Sequence, residues 1–152
     1  MSCVLGFDVG SKLTGVAIGN RITASARALA TVPMRNDTPD WTILDTLHAQ
    51  WQPEALVVGL PLTLDGTEQP ASQRARRLAE LLQARYALPV TLVDERNSSK
   101  EAARRFAGAR AAGLRRRRDA ALIDAEAAAV ILERWLLDAA HPSHSTTSAT
   151  SP

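Results

Sequence analysis

The sequence predicts an α/β fold, a mixed five-stranded sheet with helices on its faces. Three short apolar strand patterns follow one another at the start, "CVLGFDVG", "TGVAIG" and "RITASARALATVP", which reads as an antiparallel meander. Strand and helix patterns then alternate, which implies β-α-β crossovers between parallel strands. The order read from the chain is β-β-β-α-β-α-β-α-α.

The first two strands are joined through "GSKL", a hairpin turn. In "TPDWTILDTLHAQWQP", Thr38 is the expected N-cap and Pro39 the first helical residue. Trp41, Leu44, Leu47, His48 and Trp51 follow at helical spacing until Pro53 stops the helix. "EALVVGLPL" is a compact apolar strand of the buried, parallel kind, and "TLDGTEQP" is a loop. "ASQRARRLAELLQARYAL" reads as a helix with Leu78, Leu81, Leu82 and Tyr86 inward and its arginines outward. "PVTLVDER" is a strand, "SSKEAARRFAGARAAG" a helix opened by a hydroxyl cap, "LRRRR" a connection, and "DAALIDAEAAAVILERWLLDAA" a long final helix. One domain is expected over 1–138, with a disordered polar tail over 139–152.

Charge is strongly segregated. Thirteen of the eighteen basic residues but only four of the sixteen acids lie between 74 and 118, so that stretch carries +9 and the rest of the chain −7. A basic face on a nearly neutral protein suggests a polyanionic partner such as RNA or DNA. The apolar runs are too short to cross a bilayer, and the opening residues have no basic leader, so the chain reads as soluble, with no membrane partner. A lone Cys3 forms no internal disulfide and fits a cytoplasmic setting. His48, His141 and His144 are scattered and support no zinc site, the three tryptophans fall at core spacing, and no Walker loop, dinucleotide fingerprint or serine elbow occurs.

Asp8 interrupts an apolar strand, an arrangement that needs a partner because an ionised carboxylate is costly to desolvate. Active sites of open α/β sheets lie beyond the carboxyl ends of the parallel strands. Asp8 lies near the end of a strand expected to be central, and Asp94 or Glu95 lies at the end of another. On the final helix, Asp124 shares a face with Ala128, Ile131 and Trp135, whereas Glu126 falls with Asp119 and Glu133 on the side expected to be wet. Converging carboxylates repel, and a divalent cation resolves the repulsion: Mg²⁺ and Mn²⁺ take oxygen ligands and can drive phosphodiester cleavage. Gly10 lets the backbone turn sharply beside Asp8.

"FDVGSKLTGVAIG", "VVGLPLTLDGTE", "VDERNSS" and "LIDAEAAAVILERWL", in that order, resemble the YqgF family, also called RuvX-like, across roughly residues 3 to 138. The family comprises pre-16S rRNA nucleases and Holliday junction resolvase homologues. The resemblance implies a ribonuclease H-like fold and a triad of Asp8, Glu95 and Asp124 holding Mg²⁺ or Mn²⁺. It also implies a cytoplasmic role in processing the 5′ end of the 16S rRNA precursor, in contact with the ribosomal particle. Asn97 and Ser99 depart from the family's usual "DERLTT", and Leu13 stands where many relatives carry arginine.

Candidate nucleic-acid contacts are Lys12 in the first turn, Arg96 beside Glu95, and the basic run Arg115, Arg116, Arg117 and Arg118 just before the last helix. Gly59 and Pro61 mark a strand end where a backbone comes close. The leading reading is a metal-dependent nuclease acting on structured RNA, as a monomer or homodimer. A four-way-junction resolvase would need a dimer to cut two strands symmetrically. A non-catalytic nucleic-acid-binding factor, for instance in transcription, would work without the three acids. The first hairpin also resembles the phosphate loop of sugar kinases and actin-like ATPases, for which 152 residues are too few.

Overall fold

A computed structural model describes residues 3–63, 65–94 and 123–140. It contains β1 (Cys3–Val9), β2 (Leu13–Asn20), β3 (Ser25–Arg35), β4 (Thr38–Pro39), α1 (Trp41–Trp51), β5 (Ala55–Leu60), α2 (Pro70–Tyr86), β6 (Val90–Asp94) and α3 (Ile123–Ala140). The helix expected from "SSKEAARRFAGARAAG", the arginine run and the tail from His141 onward lie outside the described residues.

The sheet is mixed, in the order β4-β3-β2-β1-β5-β6. β1, β2 and β3 form the expected antiparallel meander, while β1 pairs with β5, and β5 with β6, in parallel. β1 is therefore central. The sheet has six strands, not the five expected, because Thr38 and Pro39 pair with Arg35 and Met34 at the edge instead of opening α1. Asp40 is the N-cap: its carboxylate accepts from the Thr42 and Ile43 backbone N–H groups at 3.0 and 3.4 Å. A Thr-Pro pair and an aspartate both signal a helix start, and the carboxylate one residue before the apolar stripe wins. Pro39, with no N–H to offer, is tolerated on an edge strand.

Alternation along the strands builds two apolar layers. Leu5, Phe7 and Val9 with Val16, Ile18, Leu56 and Val58 pack beneath α1 and α2, against Leu44, Leu47, Leu78 and Leu82. Val4, Ala17, Ala55 and Val57 on the other face pack against Ala128, Ile131, Leu132 and Leu136 of α3. β5 is buried on both faces, which explains its unbroken apolar sequence. α2 opens with Pro70 at the first helical position and a reciprocal box between Gln69 and Ser72. Among the described residues no helix is long and apolar enough to cross a membrane.

α3 lies close on the sheet because glycines face it. A methyl group at Gly6 would stand 2.8 Å from Leu132 Cβ, and one at Gly19 would stand 2.7 Å from Leu136 Cδ1. The residues that would keep the helix away are missing where it crosses.

Candidate active site at the carboxyl edge of the sheet

Asp8 is half-buried one residue before the end of β1, on the same face as Val4 and Gly6, toward α3. Opposite it on β2 stands Gly15. On the other side the parallel register runs Phe7↔Val58, so the next step sets Gly59 beside Asp8. The central acid is thus flanked by a glycine on each neighbouring strand.

Just beyond, Gly10 shapes the hairpin. A Cβ there would sit 2.3 Å from the Leu13 carbonyl oxygen, so close backbone approach requires glycine at this turn. Lys12 is exposed in the same turn, and its carbonyl accepts from Met34 N at 2.8 Å, which ties the turn to β3. The turn that carries Lys12 thereby stands at the Asp8 end of the sheet.

β6 ends beside β5 with Leu60 paired to Asp94. Val93 packs in the layer beneath α3, whereas Val90 and Leu92 pack in the α1/α2 layer. By alternation Asp94 belongs to the face away from Asp8. Of the two acids expected at this strand end, Asp94 is on the wrong face; Glu95 and Arg96 lie outside the described residues, as do Arg115, Arg116, Arg117 and Arg118.

α3 runs antiparallel to β1. Leu136 and Leu132 cover Gly19, which pairs with Val4, and Leu132 with the Ala128 carbonyl covers Gly6. Four helical residues rise about 6 Å, close to the roughly 6.6 Å of two strand residues, so each helical step of four matches one step of two along β1. With Leu136 at the level of Val4 and Leu132 at that of Gly6, the series sets Ala128 level with Asp8 and residue 124 one step further on. The first turn of α3, which carries Asp124, accordingly lies just past the level of Asp8, toward the carboxyl end of β1. Ala128 and Ile131 are buried as the sequence stripe predicts, and Trp135 is half-buried with Arg21 over its ring. Glu126 and Glu133, expected on the wet side, are half-buried instead.

The loop after β5 is tied down in several places. Thr63 donates to Asp65, and the Thr67 N–H reaches both the Asp65 carboxylate and the Thr63 hydroxyl at 3.0 Å. These donors pull the exposed Asp65 carboxyl down to about 2, and Gly66 takes the positive φ of 88° that the turn needs. Arg76 binds Glu68 through Nε at 2.8 Å, and the Ser72 hydroxyl donates to the Pro61 carbonyl. A stiff loop therefore borders the strand next to β1. Sequence reasoning turned every arginine of α2 outward, yet Arg74 is half-buried.

His48 stacks on Tyr86 with ring centroids 4.3 Å apart, a packing role. Among the described residues no three His, Cys, Asp or Glu side chains group as metal ligands; Glu95 and the Asp124 side chain are not among those described.

The family described as "RuvX: Holliday junction resolvase" matches residues 2–138. Two relatives, each named "Putative pre-16S rRNA nuclease", come from Xanthomonas axonopodis pv. citri (strain 306) and Xanthomonas campestris pv. campestris (strain B100). Both are 59% identical over 133 residues, covering 88% of this chain and 86% of the relative. Among solved structures, T. thermophilus RuvC in complex with a Holliday junction substrate superposes with a TM-score of 0.55 at 18% identity, over 93% of this chain and 97% of that one. A second Thermus thermophilus RuvC structure gives 0.50 at 19%, over 91% and 96%. These likenesses establish the ribonuclease H-like fold.

Proposed function

The chain belongs to the RuvX family, and from that premise we propose that it is a metal-dependent nuclease that trims the 5′ end of the 16S rRNA precursor. The observation that carries the reading is the course of α3, whose close crossing over Gly19 and Gly6 leads its first turn, with Asp124, toward the end of β1 that bears Asp8. Glu95 is the next residue in the chain after β6, whose last residue, Asp94, is turned to the other face. Asp8, Glu95 and Asp124 are the catalytic and metal-holding carboxylates in this reading.

The donor set fits the metal. Three carboxylates offer only oxygen, as Mg²⁺ and Mn²⁺ prefer, and the glycines flanking Asp8 leave room beside it. One or two such ions, when bound, supply the positive charge that stabilises the attacking and leaving oxygens of phosphodiester hydrolysis. The protein's own part is positional. β1, paired on both sides, fixes Asp8, α3 sets the height of Asp124, and the tied loop after β5 borders the substrate path. Lys12 offers an exposed cation to a neighbouring phosphate, with Arg96 and Arg115 to Arg118 as further contacts. Such an enzyme works in the cytoplasm, on RNA presented by the ribosomal particle, as a monomer or homodimer.

The test is cleavage of a 5′-extended 16S rRNA precursor beside a four-way DNA junction, with Mg²⁺ or Mn²⁺. Wild type is expected to cut the RNA, and Asp8→Asn or Asp124→Asn to lose about a thousandfold, the several kcal/mol a metal centre contributes. RNA bound but left intact by wild type, or cut equally by Asp8→Asn, overturns the proposal. Preferential, symmetric cutting of the junction transfers the same chemistry to DNA.

A further inference from the structure

We infer that Arg74 is a phosphate contact for the nucleic-acid strand, flanking the Asp8 edge without touching the reacting atoms; the inference rests on the nuclease reading above. Arg74 is half-buried on α2, and its Nε is sealed from solvent with no acceptor among the described residues. Two other arginines of the helix are engaged: Arg76 holds Glu68, and Arg85 holds both carboxylate oxygens of Asp45. The acids of the adjoining loop are committed elsewhere, Glu68 to Arg76 and Asp65 to Thr63 and Thr67. A guanidinium N–H withdrawn from water and left without an acceptor costs free energy, which an incoming oxygen would relieve.

Position supplies the oxygen's source. The Ser72 hydroxyl bonded to the Pro61 carbonyl pins the start of α2 to the carboxyl end of β5. β5 is the strand that sets Gly59 beside Asp8. Arg74, two residues after Ser72, therefore stands over the same end of the sheet as Asp8, on the α2 layer. Its planar fork suits the two free oxygens of a phosphodiester. A strand crossing the sheet edge from the Asp8 side would meet it at a phosphate away from the scissile one.

The experiment measures equilibrium binding of the 5′-extended 16S precursor RNA to full-length Asp8→Asn protein in EDTA, across a salt series. Arg74→Gln and Arg74→Lys are added singly, with Arg27→Gln as a charge-matched control on β3 at the opposite edge. Arg74→Gln is expected to weaken binding about tenfold at low salt and to flatten the slope of log K against log salt by about 0.7 to 0.9. Arg74→Lys recovers part of the affinity, Arg27→Gln binds like its parent, and the unfolding midpoint of Arg74→Gln does not fall. The inference is overturned if Arg74→Gln binds with the parent's affinity and slope, or if Arg27→Gln loses as much. Because binding is read without cutting, a wild type that fails to cleave refutes the nuclease reading alone. Unchanged binding by Arg74→Gln beside intact wild-type cleavage refutes this inference alone.

Discussion

Replacing Gly6 by alanine tests whether the packing of α3 governs the catalytic geometry. The added methyl group would stand 2.8 Å from Leu132 Cβ and 3.4 Å from the Ala128 carbonyl oxygen. Carbon atoms prefer about 3.5 to 4.0 Å, so the helix must retreat by about 1 Å, because a Cβ cannot swing aside as a side-chain tip can. Overpacking of this kind costs about 1 to 3 kcal/mol, offset by up to about 1 kcal/mol from a stiffer unfolded chain. At Gly19 the obstructing atoms are the ends of Leu136 and Leu132, which can rotate, so Gly19→Ala should cost less. The retreat of α3 also carries the Asp124 turn away from Asp8, and a 1 Å misplacement is worth about a hundredfold in rate. Urea unfolding of both variants, with single-turnover cleavage at a temperature where each is folded, reads the two effects separately. A Gly6→Ala protein as stable and active as wild type would refute the close-crossing argument.

The remaining expectations are simpler. Thr14 is 1% exposed, and its hydroxyl has no hydrogen-bond partner among the described residues, so Thr14→Val should stabilise the fold by about 1 kcal/mol. In thermal unfolding that is a rise of about 2 to 4 °C, and a lower midpoint counts against a wasted hydroxyl. Asp65, drawn from 3.8 to about 2 by its threonine donors, contributes stability present above its unfolded value and lost as pH falls through about 4 toward 2. Its carboxyl carbon should titrate in NMR near 2, and a midpoint near 4 would mean the turn is open in solution. Chelation of divalent ions by EDTA should abolish RNA cutting but leave the unfolding midpoint little changed at neutral pH; undiminished cutting would exclude the metal role assigned to the acids.

How far the sequence spoke for the fold differs from place to place, for physical reasons. Asp8 was legible because a charge inside an apolar strand is conspicuous, and the stripe of the last helix because helical spacing is strict. The choice between Asp94 and Glu95 was not, since it turns on which layer receives Val93, a tertiary fact. Thr38 and Asp40 are both good caps, and two residues of edge strand leave no periodicity by which to tell them apart. Gly6 and Gly19 announce only that something comes near, not that Leu132 and Leu136 do. Arg74 was read as solvated because a helical wheel assigns charge outward, and the wheel does not see a withdrawn Nε.

The crossing of α3 over β1 and β2 also bears on how the protein is made. The face that α3 covers belongs to strands near the amino end, Val4 on β1 and Ala17 on β2, whereas the helix spans 123–140. On the ribosome that face must wait, uncovered, until more than a hundred further residues have been added. A truncated or stalled chain would display an adhesive sheet and lack one acid, so catalytic competence arrives with the same long-range contact that ends the exposure.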